Sequence, residues 1–352
     1  MRIENVFIDS LGVVLHDFEP VERAVAQGLI AQDIVDANGL TGTHLAHDIP
    51  AVELAIAAAR VTLDRSKLDP ESLTSHVHSA VYYQGPQGSY PPGYVLRELE
   101  LEPTSSLYLR QGCNGMLGAL EVAVGQITGA AQAEAVLITS GENFTASGLN
   151  RYSGLGQAYF LSDGGASVLV SADEGFAQIR SLSSGILPEL ERWHRGDGSL
   201  LPDDGQRNDE EMAERATRYS ETETPLSETL EKLTLFNLGV IRRALVSADL
   251  NAGDIAKVVP INMDGRMVEY SVMMPLGLPM DRSTWDYGKG IGHVGGADVL
   301  ITLEHLVRRR EVAPGDHVLL ISQGPGWMCT ACVVTVLDLP AWAGSRVRRP
   351  GR

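Results

Sequence analysis

The chain has 352 residues, 44% of them hydrophobic, which is enough to bury one large core or two fused smaller ones. Its net charge of −17 argues against a nucleic-acid partner, because phosphate contacts need clustered Lys and Arg. No stretch approaches the ~20 apolar residues that span a bilayer. Glu4 and Asp9 interrupt the apolar N-terminus, which is typical of a first strand and not of a signal peptide. We therefore expect a cytoplasmic protein without membrane partners.

Strands and helices alternate along the chain, as in an α/β protein. In the first half the patterns predict helices over 51–65, 94–99 and 114–128, and strands over 79–83, 106–110, 135–139, 159–161 and 167–171. In the second half they predict helices over 229–247 and 298–310, and strands over 257–260, 317–322 and 327–337. This order predicts two related halves, 1–175 and 229–352, joined by a region at 176–228.

The connecting region contains a polar, acidic stretch at 189–225. Two interpretations remain open. It is either a solvated connection or a lid over the site of an acceptor substrate, since long loops in compact domains often have a function.

The chain has three cysteines, and an odd number without a signal peptide favours reduced thiols. Cys329 and Cys332 have CxxC spacing, but no second CxxC or His pair accompanies them, so no metal site is predicted. Cys113 differs, because it follows an apolar strand and Gly112 and opens a helix. Amides at a helix N-terminus favour negative charge, which suits a nucleophilic thiolate. A buried structural thiol is the alternative.

Three motifs carry a resemblance to type-III β-ketoacyl-acyl-carrier-protein synthases. Residues 108–120, YLRQGCNGMLGAL, resemble that family's nucleophile segment. Residues 162–166, SDGGA, are similar to its GDGA turn, and residues 314–326, PGDHVLLISQGPG, resemble its C-terminal glycine-rich segment. The motifs occur in the family's order and span nearly the whole chain. The resemblance implies a five-layered αβαβα thiolase fold from two duplicated halves, and a homodimer.

Two departures from the family are informative. The synthases have a His in a P-H-Q-A-N segment and an Asn in H-G-N; here Ile261 stands at the His position and His293 at the Asn position. In decarboxylative condensation those two groups donate hydrogen bonds to the developing enolate oxygen, and Ile261 cannot donate. A single His beside a thiol suits a general base for an incoming hydroxyl or amine.

A base usually needs an orienting partner, and Asp298 follows His293 by five residues across a flexible Gly295-Gly296 pair. The alternative for Asp298 is an acidic residue that stabilises a helix N-terminus. The Cys–His–Asp pattern resembles ketosynthase-III-like acyltransferases of antibiotic pathways, which include a malonyl-ester-forming enzyme and relatives that acylate sugars or load polyketide starters. This resemblance implies ping-pong acyl transfer to a hydroxyl or amine, with malonyl one candidate acyl group.

The resemblance also implies binding residues. The donor would be an acyl-CoA or a phosphopantetheine thioester on an acyl carrier protein, with no tightly bound cofactor. Arg266 matches a family arginine linked to carrier docking, and Asn262 and Asp264 are candidates for the pantetheine amides. Residues 38–44 lack the family's adenine-stacking Trp and Arg, which favours a carrier protein over coenzyme A.

The tetrahedral intermediates of acyl transfer need an oxyanion hole. The backbone N–H of Cys113 is one predicted donor. The family's second donor position is Pro325 here, which has no N–H, so Gly326 is the alternative. Three rival functions stay open: a starter-unit condensing enzyme, a non-catalytic synthase partner and a thioesterase.

Overall fold

The computed structural model describes the chain except for residues 103, 130–132, 146–149, 154–156, 198–199, 201–208 and 345–352. Its strands are β1 Phe7–Leu15, β2 Asp17–Pro20, β3 Gly42–Leu45, β4 Leu73–Ser79, β5 Ser105–Leu109, β6 Ala135–Glu142, β7 Gly164–Ser171, β8 Ala177–Ile186, β9 Ile255–Val259, β10 His317–Gly324 and β11 Met328–Val336. The described α-helices are Val21–Ala26, Gln32–Asn38, Ala51–Arg65, Pro91–Glu98, Gly115–Thr128, Glu191–Arg195, Asp209–Thr222, Leu226–Ser247, Gly265–Val268, Met274–Leu276, Trp285–Gly288 and Asp298–Arg309, with a π-helical turn at Glu269–Met273.

Most predicted elements are present within a few residues of their predicted bounds, and the helix Ala51–Arg65 matches them fully. The strand predicted at 79–83 is wrong, because the strand is β4 and ends at Ser79. The sequence of β4 lacks the apolar alternation that marks a strand, because many of its side chains are polar. In the fold these polar side chains, including His76 and His78, are buried between neighbouring strands. Residues 159–161 do not form the predicted strand; Leu161 makes an isolated parallel bridge with His293.

The two halves of the chain have the same topology. In the first half β1 pairs antiparallel with β7, β7 antiparallel with β6, β6 parallel with β4, and β4 parallel with β5. In the second half β8 pairs antiparallel with β11, β11 antiparallel with β10, and β10 parallel with β9, which makes a parallel bridge from Val258 to Ser283. β1 and β8 share two residue pairs, which join the halves into a nine-stranded sheet. The predicted duplication is confirmed.

Alternating side chains of the strands give five layers. Val136 and Ile138 of β6 lie in one large core cluster with Val318 and Leu320 of β10 and with the helices Gly115–Thr128 and Asp298–Arg309. The intervening residues face outward, so that Leu137 packs with the helix Ala51–Arg65, and Leu319 with the helix Leu226–Ser247. The Cys113 helix therefore belongs to the middle layer, between the two half-sheets, as the αβαβα prediction requires.

Of the stretch 176–228, Ala177–Ile186 is β8, the first strand of the second half. The described residues after it form the short helices Pro188–Leu190 and Glu191–Arg195 and the helix Asp209–Thr222. The acidic residues at 203 and 204 lie outside the described residues. No helix within the described part of the chain is long and apolar enough to cross a bilayer.

Candidate active site

Cys113 lies where β5 gives way to a middle-layer helix. The 3₁₀ turn Gly112–Asn114 follows β5 and leads directly into the helix Gly115–Thr128. Gly112 has φ +54°, and a Cβ there would lie 2.4 Å from Cδ of Pro325, so this position requires glycine. Ser322 Oγ donates a 2.6 Å hydrogen bond to the carbonyl of Cys113, which ties the turn to β10. The nucleophile candidate is therefore fixed from both halves.

His293 is held opposite Cys113 by the segment around the SDGGA turn. Its N–H donates to the Phe160 carbonyl at 2.6 Å, and its carbonyl accepts the Ser162 N–H at 2.9 Å. The turn is itself organised by the buried carboxylate of Asp163, which accepts the backbone N–H groups of Ala46 and Phe144. These bonds set the backbone position of the histidine before any contact of its ring.

The structure brings Cys113, His293 and Asp298 into one hydrogen-bonded chain. His293 Nε2 lies 2.9 Å from Cys113 Sγ, and His293 Nδ1 lies 2.6 Å from Asp298 Oδ2. Because a carboxylate only accepts, Nδ1 carries a proton and Nε2 faces the sulfur. Asp298 is fully buried and also accepts the N–H groups of Val294 at 2.7 Å and Asn262 at 2.8 Å. These bonds fix the carboxylate and, through it, the imidazole plane.

The electrostatics of the chain favour a charged imidazole. Burial by itself lowers the pKa of His293, but the negative charges of a Cys113 thiolate and the Asp298 carboxylate, with hydrogen bonds to both, raise it well above its ordinary value. An imidazolium facing the sulfur is the arrangement of an activated thiol nucleophile. By contrast, burial raises the pKa of Cys329 and of Cys332 to about 12, so these thiols stay neutral in the core.

Cys113 and His293 open into a pocket of about 560 Å³, a volume that includes its open mouth. Its apolar wall consists of Tyr159, Ile261, Met263, Met267 and Trp327. Ile261 is 8% exposed and lines the same pocket as Cys113, so the position that departs from the synthase motif presents an aliphatic side chain to the reaction site. Among the described residues lining the pocket, none is Lys or Arg.

The three residues expected to bind the carrier have structural partners of their own. Asn262 is 6% exposed and its side-chain amide donates to the Gly292 carbonyl at 2.8 Å, so it supports the His293 loop. The Asp264 carboxylate accepts the Arg266 N–H at 2.8 Å and pairs with the Arg266 guanidinium. That pairing occupies Asp264, whereas the Arg266 side chain is 58% exposed and stays accessible.

Gly326, the predicted alternative oxyanion donor, already has a hydrogen-bond partner in the structure. Its N–H donates to His194 Nδ1 at 3.3 Å, which takes this donor away from an acyl group in the pocket. Sequence reasoning missed His194 and Ser322. His194 belongs to the connecting region and lines the pocket with Cys113. His194 lies in no recognised motif, and although Ser322 falls within the 314–326 segment, its contact with Cys113 appears only when the fold pairs distant segments.

Two family models match the chain. The model described as 3-oxoacyl-[acyl-carrier-protein] synthase III matches residues 108–185, and that of the C-terminal part of the same synthase matches residues 245–336. The two matches contain Cys113 and His293, respectively.

The chain is similar to a protein described as an acyltransferase and to proteins named as synthases. The solved structure of ChlB3, described as an acyltransferase, is 31% identical with a TM-score of 0.89, over 96% of this chain and 100% of that one. The acetoacetyl CoA synthase NphT7 of Streptomyces sp. (strain CL190) is 28% identical, over 82% of this chain and 85% of the relative. The synthase III of Pseudomonas aeruginosa PAO1, at 18% identity, a TM-score of 0.75 and 96% and 99% coverage, shares the thiolase fold.

Proposed function

Because this chain belongs to the 3-oxoacyl-[acyl-carrier-protein] synthase III-like family of the thiolase superfamily, we propose that it is an acyltransferase that carries its acyl group on Cys113. The observation that carries the proposal is the Cys113–His293–Asp298 chain beside Ile261. This arrangement supplies a nucleophile, a base and an orienting carboxylate, whereas Ile261 offers no donor at the position where the synthases have a His.

The first half-reaction acylates the enzyme. The Cys113 thiolate attacks the carbonyl carbon of a donor thioester, and a new S–C bond forms as the carbonyl electrons move to oxygen. Collapse of this intermediate expels the donor thiol, which takes the proton of the His293 imidazolium. Loss of the thiolate charge then leaves a neutral imidazole beside an acyl-thioester.

The second half-reaction passes the acyl group on. His293 Nε2 takes the proton of an acceptor hydroxyl or amine as that group attacks the thioester carbon. Collapse expels the Cys113 thiolate and restores its pairing with the imidazolium. Asp298 holds His293 Nδ1–H throughout, so that Nε2 stays aimed at the reacting atoms. The two steps give ping-pong kinetics.

The residues that line the pocket indicate which kind of acyl group it would accept. Its wall is apolar and carries no Lys or Arg among the described residues, so nothing described there would pair with the carboxylate of a malonyl group. An uncharged acyl group is therefore favoured over malonyl. Support for a sugar or polyketide acceptor comes from the resemblance alone.

We infer the donor substrate from the family, whose members use thioesters of coenzyme A or of acyl carrier protein. The exposed Arg266 is the candidate contact for a carrier protein's acidic surface. A homodimer and a cytoplasmic location stay predictions, and light scattering coupled to size exclusion tests the first.

A condensing enzyme is the second candidate, because a similar protein is named acetoacetyl CoA synthase and acetoacetyl groups form by joining two acyl units through a C–C bond. Its chemistry would release CO₂ from a malonyl thioester. Ile261 disfavours condensation, because an aliphatic side chain cannot donate a hydrogen bond to an enolate oxygen.

Intact-mass analysis tests the proposal. The enzyme is incubated with acetyl, benzoyl and malonyl pantetheine thioesters, followed by an amine or sugar acceptor. We expect an adduct in wild type and in Cys329→Ala, whose substituted thiol is buried in the core, and none in Cys113→Ala. His293→Ala should form the adduct slowly and fail to transfer it. An elongated product with CO₂ release would overturn the proposal in favour of condensation, and absence of any adduct would favour a non-catalytic partner.

A further inference from the structure

His194 reaches the pocket from the connecting region, outside the duplicated halves. It lies on the short helix Glu191–Arg195, where both its backbone and its ring have partners. Arg215 Nε donates to its carbonyl at 2.7 Å, and its ring stacks on Trp327 with centroids 5.8 Å apart and an interplanar angle of 9°. Trp193 contacts the same Trp327 ring at 5.3 Å. These contacts give His194 a defined orientation in the pocket that Cys113 also lines.

The hydrogen bond from Gly326 fixes the tautomer of this ring. Gly326 N–H donates to Nδ1, which must therefore hold a lone pair, and the proton of the neutral ring lies on Nε2. Burial, and in second place the charge of Arg215, lowers the pKa of His194 to about 4. The ring is thus neutral at pH 7. Within the described residues Nε2–H has no hydrogen-bond partner, and it is a donor available to a ligand of the pocket.

Each half-reaction places a negative charge on the acyl oxygen, and a dry site needs preorganised donors for it. The turn around Pro325, which lines the pocket, supplies few such donors. Pro325 has no N–H, and the N–H of Gly326 is occupied by His194. No Lys or Arg lines the pocket among the described residues. The backbone N–H of Cys113 would otherwise act with little help.

We propose that the Nε2–H of His194 is a catalytic hydrogen-bond donor to the oxyanion in both half-reactions, together with the N–H of Cys113. This inference rests on the proposed acyl transfer. His194 keeps its proton throughout, so it takes no part in the proton exchange between His293 and the thiol or hydroxyl. The connecting region thereby supplies the donor that the Pro325 turn lacks, which makes it part of the active site.

Two substitutions separate this function from a structural one. The amide nitrogen of Gln in His194→Gln can stand near Nε2 and donate, whereas Asn in His194→Asn places an acceptor near Nδ1 and nothing near Nε2. The readouts are the single-turnover rate of Cys113 acylation by benzoyl pantetheine thioester, the transfer rate to an amine, and the alkylation rate of Cys113 by iodoacetamide, which forms no oxyanion.

We expect His194→Asn and His194→Ala to slow both acyl half-reactions about 100- to 1000-fold, the usual effect of losing one oxyanion donor. His194→Gln should restore a large part of that loss, and alkylation should stay at the wild-type rate in all three. A His194→Asn rate above that of His194→Gln would overturn the proposal, because it would show that holding Gly326 is what matters. Slowing of transfer alone would assign His194 to the acceptor instead. If wild-type Cys113 is alkylated but never acylated, the proposed acyl transfer itself fails.

Discussion

At the residue scale, the proposed preference for transfer over condensation depends on two positions. Ile261 offers no hydrogen-bond donor to the pocket, and His293 places the proposed base where the synthases have an amide. The base works only if its ring is held, and Asp298 holds it while accepting two backbone N–H groups as well. The carboxylate therefore serves three donors at once, which an amide with a single oxygen cannot do.

Asp298→Asn tests this directly. The Asn oxygen can serve only some of the three donors, and its NH₂ faces others, so the His293 tautomer and ring plane should be lost. We expect kcat to fall by about 10²–10⁴. Steady-state kinetics measure the effect. Asp316→Asn, whose carboxylate accepts the Ala313 N–H in a distant turn, is the control and should stay near wild type. Equal losses in both variants would show a general effect on folding.

At the element scale, the entry into the Cys113 helix depends on glycine. Gly112→Ala puts a methyl group 2.4 Å from Cδ of Pro325 at a φ of +54°, so Cys113 or Pro325 must move. We expect a loss of at least about 1 kcal/mol in unfolding free energy from the backbone alone, with a clear fall in acylation rate. Gly125→Ala, later in the same helix with no atom within 4 Å of the new Cβ, should gain roughly 0.5–1 kcal/mol. Urea unfolding compares them, and equal stabilities would contradict the argument.

The strands around β4 share a buried network that makes stability depend on pH. Thr139 Oγ1 lies 2.9 Å from both His76 Nε2 and His78 Nδ1, and His78 Nε2 lies 3.1 Å from Gln84 Oε1. Burial lowers the pKa of His76 to about 3 and that of His78 to about 4. In the unfolded chain both would titrate near 6.5, so between pH 6.5 and 4 the unfolded state binds more protons.

It follows that the free energy of unfolding falls as the pH drops below 6.5. Each of these histidines contributes roughly 1 kcal/mol per pH unit to the slope between pH 6 and 4.5. Urea titrations at several pH values should therefore show a shallower slope for His78→Asn than for wild type. The same slope in both would mean that burial does not lower the pKa of His78 in the folded protein.

At the scale of the whole molecule, a buried ion network ties an outer layer to the middle layer. Glu304 of the helix Asp298–Arg309 accepts from Arg65 at 3.0 Å and from Arg308 at 3.1 Å, with a side chain only 6% exposed. Arg65 belongs to the outer helix Ala51–Arg65 and also lies 4.3 Å from the Trp342 ring. Removing the carboxylate leaves two guanidinium groups, 17% and 12% exposed, without their negatively charged partner.

Glu304→Gln should therefore destabilise the protein by about 3–5 kcal/mol. Glu311→Gln, which loses an exposed contact with His305, should change stability by less than about 1 kcal/mol. Urea denaturation with a matched m-value measures both. A small effect of Glu304→Gln would show that water or a rearranged Arg65 replaces the carboxylate.

The sequence by itself determined the alternating strands and helices, the duplicated halves, and the three side chains that the structure joins in a hydrogen-bonded chain. Cys113 is recognisable because a strand, a glycine and a helix start are local features. Tertiary structure alone decided that β4 is a strand despite its polar residues, and that Asn262 supports a loop. It also decided that His194 occupies the N–H of Gly326, 132 residues away. Local preferences are encoded in neighbouring residues, whereas a buried polar group is satisfied by whichever distant segment the fold brings to it.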